Sequence, residues 1–134
     1  MRNIVLFIVL SLLVSINTKD VFLTSGSSVS LGTLSPKNNY MFFLPVKEGQ
    51  IVEIEVTREH KTSTVSDTLE LPVTEVMAIH GEELETTAYF ISSKTNKFTQ
   101  RHEVSNPFCS YLSIEVYPKI QMSSVYITAT IKPK

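Results

Sequence analysis

Apolar and polar residues alternate with a period of two along most of the chain, the signature of strands covered on one face. In Ile51–Val56, Val52, Ile54 and Val56 fall on one side, and Glu53 and Glu55 on the other. Leu112, Ile114 and Val116 stand in the same relation to Tyr111, Ser113, Glu115 and Tyr117. The pattern returns with Val125, Ile127, Ala129 and Ile131 against Tyr126, Thr128, Thr130 and Lys132. Further strands are expected at Val21–Thr24, Ser28–Thr33, Tyr40–Val46, Thr74–His80 and Thr87–Ser92, with a weaker one around Lys97–Val104. No segment has a helical period, and the Ser, Thr, Val and Ile content favours strands. Turn-forming groups such as Ser25-Gly26-Ser27, Lys47-Glu48-Gly49 and Ser105-Asn106-Pro107 punctuate the run at short intervals. This spacing predicts an all-β fold, an antiparallel β-sandwich or jelly roll of about eight or nine strands. The polar stretch Glu59–Leu71 is expected to be a long loop crossing between sheets.

The chain opens differently. Arg2 is followed by Ile4–Val14, in which Ser11 is the only polar residue, and then by Ser15-Ile16-Asn17-Thr18. A helix through Ile16 would be about 20 Å long, well short of the roughly 30 Å hydrocarbon core. The segment reads as a secretory signal peptide over residues 1–18, with one β-sandwich domain over 19–134 and no stable membrane span after signal removal. The expected location is extracellular or a secretory-pathway lumen.

Of the 134 residues 43% are hydrophobic and 19% charged, a globular composition that excludes a disordered or collagen-like chain. Twelve basic residues stand against thirteen acidic ones, so no basic footprint points to nucleic acid. The distribution is uneven. Glu48, Glu53, Glu55, Glu59, Asp67, Glu70, Glu75, Glu82, Glu83 and Glu85 meet only Arg58 and Lys61 in the same stretch, whereas residues 86–134 are net basic. The folded molecule either gathers these charges into an acidic face suited to a basic partner or intersperses them for solubility.

Two stretches resemble the pre-peptidase C-terminal family of small secreted jelly-roll domains. They are Ser28–Pro36 with Asn39–Val46 and Gly49-Gln50-Ile51-Val52, and the closing runs Tyr111–Val116 and Ser124–Ile127. The family's acidic residue before the strand tyrosine is replaced here by Asn38-Asn39, and only Asp67–Leu71 echoes its mid-domain Asp-Leu-Tyr-Leu signature. The resemblance implies a non-catalytic accessory module, in a family associated with secreted enzymes and sometimes with carbohydrate or matrix binding.

Candidate chemistry is sparse. If the last two long strands pair as a hairpin, Tyr111, Tyr117 and Tyr126 share one face with Glu115 and Thr128, and tyrosine rings beside polar groups can stack on sugars or anchor a protein. The alternative is a second packed face or scattered surface tyrosines. Cys109, the only cysteine, shares outward parity with Tyr111 and is a candidate for a disulfide-linked homodimer; the other reading is a half-buried, inert thiol. A Cys109–His102 nucleophile and base is the catalytic alternative. His60, His80 and His102 lack zinc-ligand spacing. Asp67, Glu82, Glu83 and Glu85, with Glu70 and Glu75, are candidates for calcium, without the calcium-loop pattern.

The resulting expectation is a secreted module, not an enzyme and without cofactor, that binds an extracellular protein or carbohydrate surface. The alternatives are a self-assembling component of an extracellular coat or secretory granule, and a small secreted hydrolase or inhibitor.

Overall fold

The computed structural model describes residues 17–59, 64–78 and 81–132. They form ten strands and no α-helix: β1 (Asn17–Phe22), β2 (Ser28–Leu34), β3 (Asn38–Pro45), β4 (Ile51–Thr57), β5 (Asp67–Met77), β6 (Glu82–Ser93), β7 (Lys97–Glu103), β8 (Tyr111–Glu115), β9 (Tyr117–Pro118) and β10 (Met122–Lys132). Two sheets pack face to face, a six-stranded one in the order β1-β3-β8-β5-β6 with β9 beside β5, and a four-stranded one in the order β2-β10-β4-β7. The all-β sandwich read from the alternation is therefore the fold. Most of the expected leader lies outside the described residues, and β1 takes in Asn17 and Thr18, the last two positions assigned to it.

One pair departs from an antiparallel plan. Strands β1 and β3 run parallel, Val21 opposite Phe42 and Phe22 opposite Phe43. The chain passes from β1 through β2 in the other sheet before returning as β3, and such a crossover brings a strand back in the same direction.

The expected loop at Glu59–Leu71 is also corrected, because Asp67–Leu71 forms the first half of β5. Leu69, Leu71 and Val73 point inward between Thr68, Glu70 and Pro72, and all three are fully buried. Pro72 falls between the part of β5 paired with β9 (Leu69, Glu70) and the part paired with β8 (Val73–Val76). A missing N–H disturbs the ladder least at such a break.

The inward faces interdigitate. Phe42, Leu44, Leu69, Leu71, Leu112 and Ile114 from one sheet meet Leu34, Val52, Ile54, Val56, Phe98, Val125, Ile127 and Ala129 from the other, each at most 1% exposed. Gly49, at φ +86, turns the chain from β3 into β4 and donates its N–H to Val104 O at 2.9 Å.

Candidate binding face

The outward residues of the six-stranded sheet follow from the register. Phe42 and Leu44 are core, so Met41 and Phe43 face out; Leu112 and Ile114 are core, so Tyr111 and Glu115 face out. Phe43 stands 5.5 Å from Phe22 and 5.7 Å from Tyr111, centroid to centroid, which makes an aromatic row across β1, β3 and β8. Met41 lies opposite Glu115, and Pro72 opposite Ala88. Tyr117 lies opposite Glu70, which lies opposite Phe90. Hydroxyl pairs tie β5 to β6 between them, Thr74 to Thr86 at 2.9 Å and Thr68 to Ser92 at 3.2 Å. Phe22 is 79% and Phe90 65% exposed, so the face is neither covered nor polar.

Tyr117 donates its hydroxyl to Glu115 Oε2. Burial, that hydrogen bond, and the charges of Glu115 and Glu70 push the phenol up to about 12. The face carries acid and little base: β3, β5, β6, β8 and β9 contain no lysine or arginine, and Glu70, Glu83 and Glu115 fall on its outward positions, whereas Glu75 and Asp67 are turned to His102 and Arg58.

The four-stranded sheet presents the opposite character. Lys97 Nζ meets Glu55 at 3.1 Å and Lys132 Nζ meets Glu53 at 3.3 Å, both pairs solvated, and Thr128 Oγ1 shares a hydrogen bond of 2.6 Å with Ser28 Oγ. Here the charges are interspersed, as on an ordinary soluble surface.

The five residues expected to share one face are therefore divided. Strand β8 pairs with β3 and β5, whereas β10 pairs with β2 and β4. The short β9 and the turn after it carry the chain from one sheet to the other, so no β8–β10 hairpin exists. Tyr111, Glu115 and Tyr117 share the aromatic face; Tyr126, 45% exposed, and Thr128 lie on the other sheet.

Other candidates are placed elsewhere. Cys109 is only 6% exposed and directs its thiol to Tyr111 O at 3.3 Å. Burial and the charge of Glu75 push that thiol up. His102 cannot serve it as a base, since Nε2 meets Glu75 Oε2 at 2.8 Å and Nδ1 meets the Tyr89 hydroxyl at 2.7 Å. Asp67 and Glu82 stand at opposite ends of the β5–β6 pair, on the order of 33 Å apart at 3.3 Å per residue. Asp67 instead meets Arg58 Nη1 at 2.5 Å. Among the described residues no three His, Cys, Asp or Glu side chains gather to hold a metal ion. His60 and His80 lie outside the described residues.

Pattern reading missed Phe22, Phe43 and Phe90. A signal existed for Phe43: Tyr40–Leu44 is a continuous apolar run, which puts apolar residues on both faces of the strand.

No family model matches the chain, and no curated protein matches it. Several solved structures share its fold. A pre-peptidase C-terminal domain of a collagenase from Bacillus anthracis is 10% identical and covers 87% of this chain and 95% of its own, with a TM-score of 0.50. PliG of Aeromonas hydrophila, a periplasmic lysozyme inhibitor of g-type lysozyme, is 14% identical over 87% of this chain and 98% of its own, with a TM-score of 0.50. CorA of Methylomicrobium album BG8, a surface-associated copper-binding protein, is 10% identical over 86% of this chain and 100% of its own, at 0.52. The resemblance to the pre-peptidase C-terminal family thus holds at the level of the fold.

Proposed function

We propose that the chain is a secreted, non-catalytic binding module that docks a basic extracellular protein on the outer face of its six-stranded sheet. One observation carries the reading: Phe22, Phe43, Tyr111, Tyr117 and Phe90 stand outward among carboxylates, on a sheet most of whose strands lack any cation. Aromatic side chains are the commonest energetic anchors of interfaces, and the charge selects a partner of opposite sign. The non-catalytic reading is supported by Cys109 and His102, a potential nucleophile and base that are each engaged in the core and not with one another. That a protein of similar fold is a lysozyme inhibitor supports a protein partner.

The test is calorimetric titration with basic secreted proteins, a g-type lysozyme among them, and with neutral soluble oligosaccharides as controls. The expected result is binding to a basic protein that weakens at least about tenfold in Phe43→Ala or Tyr111→Ala and is unchanged in Thr128→Ala. No binding to any basic protein, binding indifferent to those two rings, or light scattering that shows the face occupied by a second copy would overturn it.

A further inference from the structure

The loop from Val104 to Ser110, between β7 and β8, is fastened along its length. Val104 and Cys109 are buried, and between them the chain folds into a β-turn in which Cys109 N–H donates to Asn106 O at 3.1 Å. Asn106 and Pro107 occupy the first two positions of that turn, where both are favoured, and Asn106 Oδ1 accepts the N–H of Phe108 at 2.9 Å. Ser110 N–H donates to Val76 O at 2.8 Å, and Ser110 O accepts from Val46 N–H at 3.0 Å. From the core side, Glu75 accepts the N–H of Asn106 at 2.8 Å and that of Ser105 at 3.2 Å.

Packing explains neither Glu75 nor Phe108. Glu75 is 1% exposed, and replacing a buried ion pair by hydrophobic residues of similar volume is often neutral or stabilising. What a hydrophobic side chain cannot do is accept two successive backbone N–H groups and so fix the loop above it. Phe108, the third residue of the turn, is the converse case. It is 67% exposed, in a turn whose favoured residues are Gly, Pro, Asn, Asp and Ser. A buried carboxylate thus holds in one conformation a loop whose tip presents a phenyl ring to solvent. A loop fixed before binding avoids the ordering entropy that association otherwise costs.

Tyr111, on the outer face of the six-stranded sheet, follows Phe108 by three residues, so their Cα atoms stand no more than about 11 Å apart. An interface of ordinary size buries roughly 800 Å² on each partner, a patch roughly 16 Å in radius. A partner centred on Phe43 and Tyr111 therefore reaches the loop tip. We propose that Phe108 is a preformed anchor of the docking surface, and that it enters an apolar pocket, the width of one phenyl ring, on the basic protein that the aromatic face binds. The inference rests on the reading of that face as a docking site. Glu75 and Asn106 are positioning residues, which act on the partner only through the turn they fix.

The experiment is calorimetric titration of the wild type and single variants with three cationic probes, a g-type lysozyme, a c-type lysozyme and pancreatic ribonuclease, together with amide relaxation of the free protein. The order parameters of the loop amides should stand near those of the strands, about 0.85. Phe108→Ala should weaken binding of a cationic protein at least about tenfold, with an unchanged thermal melt to show that the variant is folded. Asn106→Ala should loosen the turn and weaken binding, whereas Asn106→Ser, which keeps a neutral acceptor, should retain both properties. Binding that depends on Phe43 or Tyr111 but is indifferent to Phe108 would overturn this inference and leave the reading of the face intact. Loop order parameters below about 0.6 would also overturn it. Binding lost in Phe108→Ala but kept in Phe43→Ala and Tyr111→Ala would remove the aromatic face and leave the loop as the docking element. No binding to any of the three probes would overturn both readings.

Discussion

Glu75 and His102, one from each sheet, meet inside the sandwich at 2.8 Å, and both are almost fully buried. Glu75 also accepts the backbone N–H of Asn106 at 2.8 Å and of Ser105 at 3.2 Å, while the other ring nitrogen of His102 meets the Tyr89 hydroxyl. Removing one partner leaves the others desolvated and unpaired, a loss of about 3–5 kcal/mol. Glu75→Ala is therefore expected to lower urea stability by that order. Thr128→Ala, which removes one exposed hydroxyl pair, should change it by about 0.5 kcal/mol or less.

The same carboxylate sets a pH dependence. Burial tends to raise Glu75, but the hydrogen bonds from Asn106, His102 and Ser105 more than offset this and hold it below its ordinary value of 4.5. The unfolded chain therefore binds the proton more readily than the folded one. The stabilisation is present above the ordinary value and is lost as the pH falls through the depressed one. Between about pH 5 and about pH 3, stability measured by urea denaturation should decline more steeply in the wild type than in Glu75→Gln.

Tyr117 carries the opposite linkage. Its folded value is raised to about 12 from an ordinary 10 by burial and by the carboxylates of Glu115 and Glu70. The contribution is complete below the ordinary value and disappears as the pH rises through the raised one. In a phenolate absorbance titration the wild type should show a tyrosine ionising near 12 that is missing from Tyr117→Phe. An identical curve for the two proteins would remove the Tyr117–Glu115 hydrogen bond from the account.

Local alternation made β4 and β10 legible, since Val52, Ile54 and Val56 and then Val125, Ile127 and Ala129 are separated by polar residues alone. It served less well in β5, where Glu70 and Pro72 disguise the inward Leu69, Leu71 and Val73. Glu75 was unreadable for a different reason. Its inward position places a carboxylate in the core, tolerable only because of groups 27 to 31 residues away. The division of Tyr111 and Tyr117 from Tyr126 is likewise a matter of sheet pairing, which parity within a strand does not determine.

Cys109 should behave as a core residue. Its thiol is buried, held by Tyr111 O and raised by burial and by Glu75, so the reactive thiolate is scarce. Native protein is expected to react slowly with a disulfide reagent and rapidly once unfolded in urea. On a non-reducing gel it should run as a monomer. A reductant-sensitive dimer formed under native conditions would contradict the placement of this thiol.

Neighbouring phenylalanines in β3 separate packing from recognition. Phe42 is fully buried and stacks beside Tyr40 at 6.0 Å, whereas Phe43 faces outward between Phe22 and Tyr111. Truncating Phe42 to alanine opens a core cavity and should cost about 3–5 kcal/mol. Truncating Phe43, which is only half-buried, removes its contacts with the Phe22 and Tyr111 rings and opens no core cavity, so the loss in urea stability should be well below that. Its effect should fall instead on docking of a basic protein, at least about tenfold. Equal destabilisation by the two variants would show that the outer aromatics serve the fold itself. A stable Phe43→Ala protein that no longer binds would assign them to the partner.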